Sequence, residues 1–271
     1  MRKRSSILLK AYMKRRICLW GTIGGVCQEV LVRLAVPADN DLKKKKKEGS
    51  MEKSVICSLF ALVAVSMFAQ DKVAIKFELP EPHSSGTPKE LKMADHPNLE
   101  KDPGPGKFRD PIMVPVGFDK KLTTEETKVT TSEESVIGDN EFIVDGDKTA
   151  DATCMLQLPN GLQWVQLDLG KEHTISAICV WHDQGDDRVY KDVIVQISND
   201  PNFIDGVNTV FNNDHDNTAK LGVGKDKEYR ERRDGRPMDA KLTKGRYVRC
   251  YSRGSTSEPL NNYIEVEVFG K

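Results

Sequence analysis

The feature that most constrains this chain is a repeated period-two alternation of apolar and polar residues beyond position 120. In Trp164-Val165-Gln166-Leu167-Asp168-Leu169, residues Val165, Leu167 and Leu169 fall on one side of an extended chain. Asp192 to Ser198, Arg246 to Tyr251 and Tyr263 to Phe269 alternate in the same way. Ile175 to Trp181 is instead almost continuously apolar, the pattern of a strand covered on both faces. Turn signals separate these runs at Asp145-Gly146, Asn160-Gly161, Gln184-Gly185, Asp200-Pro201, Asp234-Gly235 and Arg253-Gly254. Many short strands without intervening amphipathic helices predict an all-β, antiparallel β-sandwich over residues 119–271. A segment of about 150 residues buries roughly 70% of its unfolded surface, enough for one core.

The preceding stretch, 70–118, reads as an arm. Pro80, Pro82, Pro88, Pro97, Pro103, Pro105, Pro111 and Pro115 interrupt it. Proline lacks a backbone donor and fixes φ, so neither a helix nor a central strand persists there. An extended arm, part of it lying along the sandwich, is expected.

Upstream, Met51-Glu52-Lys53 opens a charge-free run from Ser54 to Phe68 that ends at Ala69 before Gln70-Asp71-Lys72. This is the layout of a secretory signal peptide over 51–69. The run is short of the ~20 apolar residues that span a bilayer, so no stable membrane span is expected after cleavage. The product is then secreted, periplasmic or held at the cell surface. Residues 1–50 sit awkwardly before an export signal. The run Lys43 to Ser50 can be encoded almost entirely by purines, with Lys-Glu-Gly resembling a ribosome-binding sequence, so Met51 is read as the start and 1–50 as leader. A genuine basic extension is the other reading. Residues 1–50 carry 13 basic and 4 acidic residues, and the remainder 28 and 37. An acidic body argues against nucleic-acid binding, which needs clustered Lys and Arg. Cys154, Cys179 and Cys250 remain in the body, so at most one bridge can form within it.

The order of three segments resembles a known family. They are Val144-Asp145-Gly146-Asp147-Lys148-Thr149, then Trp164 to Gly170, then the apolar strand ending Val180-Trp181. The paired ending Gly245-Arg246-Tyr247-Val248-Arg249 and Ile264 to Gly270 fits as well. Together they are similar to the discoidin, or coagulation factor 5/8 type C, domain, in a variant found in secreted bacterial proteins. The resemblance implies a galactose-binding-like jelly roll and non-catalytic binding of a carbohydrate or other cell-surface ligand through loops at one end. It also implies a structural Ca2+ held by Asp145, Asp147 and Glu265, the other reading of these residues being an ordinary Asp-Gly turn. Thr149 stands one place before the family's usual hydroxyl position, which Ala150 occupies, and the family's terminal cysteine bridge is absent.

The residues themselves offer two loop clusters. Asp214, His215 and Asp216 lie in the densest polar stretch and suit a second metal or a sugar, or equally a solvated loop with local hydrogen bonds. His182, Asp183, Arg188 and Tyr190 follow the apolar strand and combine an aromatic face with planar polar groups, as a sugar site requires, although Asp183 and Arg188 could simply pair. A shared depression near Arg188 and His182, rimmed by Tyr190 or His215, is expected. No nucleophile elbow, zinc-protease motif or phosphate loop is present, so no catalytic residue is assigned. The alternatives are a protein-interaction module and, further off, a hydrolase using Asp214 and Asp216.

Overall fold

Alternation lets each strand bury one face in a shared core and turn the other outward. The computed structural model describes residues 22–23, 26–27, 71–82, 96–104 and 106–271. Residues 1–66 and 67–271 form two units. In the first, the described residues are the antiparallel pair β1 (Thr22–Ile23) and β2 (Val26–Cys27). The signal-peptide reading of 51–69 and the rest of the leader reading lie outside the described residues.

The second unit is an antiparallel β-sandwich. Its strands are β3 (Lys72–Ala74), β4 (Met113–Pro115), β5 (Lys120–Lys121), β6 (Lys128–Thr131), β7 (Leu156–Leu158), β8 (Gln163–His182), β9 (Ile194–Ser198), β10 (Asn208–Asn212), β11 (Arg236–Ser252) and β12 (Asn261–Gly270). β8 and β11 are long and pair with each other along most of their length, so both run through the two layers. Their first and last halves sort the partners. Val165–Asp168 of β8 pairs with β6, and Tyr247–Tyr251 of β11 pairs with β9, which pairs with β10. Ile175–His182 of β8 pairs with β12, which also carries β5 and β7. Register shifts at Asp239/Thr243 and Gly245/Tyr247 mark the corner, where Lys241 and Leu242 take φ values of 54° and 58°. Such bulges let one strand bend from layer to layer.

The two layers enclose Leu156, Leu158, Val165, Leu167, Ile178, Val180, Val195, Ile197, Val248, Val266 and Val268, all fully buried. Leu169, nearest the corner, is half-buried. The continuous apolar run in β8 has a specific cause. Ile178 and Val180 face the core, while Ala177, Cys179 and Trp181 face outward beneath the arm. Ile75 and Val114 cover Ala177 and Phe269. Phe77 meets Trp181 and Phe269 edge-on, with centroids 5.6 and 5.4 Å away. Trp181 therefore belongs to the arm-covered face, and its Nε1–H donates to the Arg233 carbonyl at 3.0 Å. Trp164, by contrast, is half-buried, with the Arg249 guanidinium 4.2 Å above its ring. Gly235 passes so close to Trp181 that a Cβ there would sit 2.5 Å from the indole, in a left-handed conformation with φ +61°.

β12 departs from simple alternation because all ten of its residues are buried. The outward carboxylates Glu265 and Glu267 are covered rather than solvated, and Glu267 Oε1 accepts from Lys148 Nζ at 3.0 Å. Phe77→Ala is expected to destabilise the unit by about 2 kcal/mol. This is below the ~3–5 kcal/mol of a fully buried phenylalanine because Phe77 is only half-buried. Denaturant unfolding of the variant measures it, and a change within about 0.5 kcal/mol would show that the Phe77 contacts do not stabilise the unit.

A second stretch of arm is fixed by polar contacts. Leu99 bridges to Glu228, and the Glu100 amide donates to the Glu228 carbonyl at 2.8 Å. Arg109 donates to Glu100 Oε1 at 2.9 Å, to the Gly235 carbonyl at 2.8 Å and to the Arg230 carbonyl at 2.7 Å. Burial opposes the Arg109 charge, but Glu100 and Asp234 hold its pKa above the usual value. Cys154, Cys179 and Cys250 are all free thiols. Among the described residues no helix is long and apolar enough to cross a membrane.

Candidate functional site

Three connections meet at one end of the sandwich: the β8–β9 loop, the loop after β10 and the β11–β12 loop. Ladder pairing of Asn212 with Ile194 brings the first two together. The Asn213 amide donates to the Val193 carbonyl at 3.1 Å, and Asn213 Oδ1 accepts from the Val193 amide at 2.7 Å. The third joins through Lys191, whose amide donates to the Gly254 carbonyl at 2.9 Å while its own carbonyl accepts from the Arg253 amide at 2.9 Å. The loop after β10 then folds back, placing Ala219 and Leu221 against Ile194 and Tyr251 on the outer face of the sheet.

This folding draws together side chains far apart in sequence. Thr218 links three carboxylates. Its amide donates to Asp214 Oδ1 and Asp216 Oδ1, both at 3.1 Å, and its hydroxyl donates to Asp192 Oδ2 at 2.8 Å. Ligand atoms of Asp192, Asp214 and Asp216 lie within 4.8 Å of one another, the one such trio among the described residues. Arg253 Nε donates to Asp192 at 2.5 Å and so offsets one charge. Burial first, and contact with Asp216 after it, raise the Asp214 pKa, whereas the Thr218 hydrogen bond lowers that of Asp216.

Beside the trio lies a depression of about 340 Å3. It is lined by Lys191, Asp192, Asn213, His215, Asp216, Thr218, Glu228 and Arg253 of the sandwich and by His96, Pro97 and Asn98 of the arm. Asn213 is only 4% exposed, and its Nδ2 has no hydrogen-bond partner. The buried Nε2 of His215 also lacks one. Thus the structure brings His215 and Asp216 to a depression, with Asp214 bonded beneath it.

The expected depression around His182 and Arg188 is not what the structure builds. Their loop does share an end with Asp214–Asp216, but His182 and Tyr190 are 1% exposed, Arg188 6% and Asp183 8%. His182 stacks on Tyr190 at 4.4 Å, and its Nδ1 lies 2.9 Å from Glu231 Oε1. Arg188 pairs with Asp183 at 2.8 Å, with Glu258 at 2.9 Å and with Asp186. Burial works against its charge, but Asp186 and Asp183 keep it firmly protonated. These four residues turn inward because the loop needs a polar interior. Asp192 and Lys191, adjacent in sequence to this set, face the depression instead. No local pattern marks Asp192 or Arg253 as site residues, since each gains its role from a partner many residues away, whereas Asn213 belongs to the same polar stretch as Asp214 to Asp216.

At the other candidate site, Asp145 and Asp147 sit on an exposed turn in which Asp145 Oδ1 accepts from the Asp147 amide at 2.8 Å. The Gly146 amide donates to Glu265 Oε2 at 3.1 Å, which ties the turn to β12. Glu265 Oε1 is buried without a partner, and burial together with Glu267 pushes the carboxyl up to about 8. Burial raises Asp145 as well, whereas Thr149 lowers Asp147. A partnerless buried oxygen suits a hard cation. The three carboxylates do not approach one another as closely as the aspartate trio, so main-chain oxygens of the turn would have to complete the ligand set.

Residues 142–250 match the F5/F8 type C family model described as a NedA-like, galactose-binding domain. No curated protein matches the chain. Among solved structures, the chain is similar to the CBM32 of AlyQ in complex with 4,5-unsaturated mannuronic acid, with 21% identity and a TM-score of 0.38 over 52% of this chain and 93% of that one. It is also similar to a Streptococcus pneumoniae fucose binding module, SpX-3, with 14% identity and a TM-score of 0.41 over 56% and 98%. A family 89 glycoside hydrolase from Clostridium perfringens gives 19% identity and a TM-score of 0.42 over 56% of this chain, but only 14% of that one.

Proposed function

We propose that the F5/F8 type C domain matched over residues 142–250 is a glycan-binding module that acts without chemistry. The observation that carries the reading is the depression of about 340 Å3 at the loop end. Its size lies near the lower end of the roughly 300–1,000 Å3 typical of ligand sites. Sugar hydroxyls both donate and accept, so they need a wall that does the same. The residues lining the depression include the amide of Asn213, the imidazole of His215, the hydroxyl of Thr218 and the carboxylates of Asp192 and Asp216. In this reading His215 and Asp216 touch the ligand and Asp214 fixes their loop. His182, Asp183, Arg188 and Tyr190 keep the loop end rigid from within.

The wider organisation follows from the same reading. Residues 119–271 are the binding domain and 70–118 its covering arm. Residues 51–69 direct export to the cell surface or beyond. Ca2+ at Asp145, Asp147 and Glu265 would tie the turn to β12 by giving the buried Glu265 carboxylate a counter-charge, remote from ligand contact.

A glycan microarray probed with the chain, in calcium and in chelator, tests this function. Sugar-specific binding is expected. A silent array together with capture of a protein partner would replace the reading with a protein-interaction module.

A further inference from the structure

We infer that the ligand site is composite: the arm segment His96–Asn98 forms its second wall and supplies contacts that the sandwich alone lacks. This rests on the glycan reading of the depression and adds a determinant from outside the matched domain. His96, Pro97 and Asn98 line the same depression as Asn213 and His215. His96 Nδ1 is buried and pairs with Glu228 Oε2 at 3.5 Å. Across the depression, Asn213 Oδ1 is committed to the Val193 amide, so the free half of that side chain is its Nδ2 donor. Side chains from two segments more than 100 residues apart therefore line one hollow. A ligand with several hydroxyls can bond polar side chains of both segments at once, His96 and Asn98 from the arm and Asn213 and Asp216 from the sandwich.

The arm is also held ready. Immediately after Asn98, Leu99 bridges to Glu228, the Glu100 amide bonds the Glu228 carbonyl at 2.8 Å, and the Glu100 carboxylate is held by Arg109 and Arg236. The wall is thus ordered by folding, and ligand binding does not bear that entropy. Pro97 adds a small apolar surface suited to the C–H face of a sugar ring.

The test uses the full chain and the best-bound glycan from an array of galactose-, N-acetylgalactosamine- and fucose-terminated glycans. His96→Ala and Asn98→Ala are each expected to weaken binding about tenfold or more. Lys101→Ala, on the exposed arm beyond the depression, should leave affinity unchanged. The Asn98 side chain makes no hydrogen bond among the described residues, so Asn98→Ala decides the matter if His96→Ala lowers the melting temperature. Unchanged affinity in Asn98→Ala, with the wild type binding, overturns the composite site and leaves the glycan reading standing. No affinity of the wild type for any glycan overturns both.

Discussion

Arg188→Ala is expected to destabilise the sandwich by about 3 kcal/mol, removing a buried cation from among three carboxylates. Arg188 is 6% exposed and bonds Asp183, Asp186 and Glu258. Without it, Asp183 keeps its hydrogen bond from the Gly185 amide at 2.8 Å but loses its counter-charge in a nearly buried position. Glu258 also accepts from Asn262 at 2.6 Å and is partly exposed, which holds the cost at the lower part of the ~3–5 kcal/mol range for broken buried pairs. Arg188→Lys keeps a charge but not the planar fork, so it should recover only part of the loss. Denaturant unfolding measures both. A loss under about 0.5 kcal/mol in Arg188→Ala would mean that the guanidinium is free to serve a ligand.

In metal-free buffer, stability is expected to fall as pH rises from about 5 to 8, driven by Glu265. Burial, with Glu267 adding to it, pushes this carboxyl from an ordinary value of 4.5 up to about 8. Between those values the folded chain holds a proton that the unfolded chain has lost, so the stabilisation is complete below the lower value and is lost through the upper. At ~1.4 kcal/mol per pH unit, the whole window carries at most about 5 kcal/mol. Calcium needs the ionised carboxylate, so saturating Ca2+ should raise the melting temperature most at pH 8 and flatten the decline. Glu265→Gln removes the proton site and the anionic ligand together. It should abolish both the pH slope in this window and the calcium response. Identical melting curves in chelator and in calcium at pH 8 would exclude the cation.

The strands were legible because period two is a local property. Val165 and Leu167 face the core as the alternation requires, and the unbroken run from Ile175 to Trp181 correctly signals cover on both faces. The covering partner was less legible. Ile75, Phe77 and Val114 are scattered among prolines and charges and show no period of their own. β12 alternates in sequence, yet Glu265 and Glu267 are buried because Lys148 and the turn at Gly146 close over them. The loop end shows the same limit. His182 and Arg188 have the residue types of a sugar site, but their partners Glu231 and Glu258 lie 49 and 70 positions away and draw them inward. Asp214–Asp216 stood out because the stretch is densely polar. Asp192, Arg253 and His96 reach the same place only through ladder pairing and arm docking, which residue composition does not encode.

The most direct test of glycan binding at the loop end is titration calorimetry of the wild type, His215→Ala and Asp216→Ala with the best-bound glycan from the array. Binding by the wild type is predicted, with each substitution weakening it about tenfold or more, the effect of losing one ligand hydrogen bond of ~1.4 kcal/mol, while the melting temperature of His215→Ala stays unchanged. A wild type that binds no glycan, or variants that bind as well as the wild type, would contradict it.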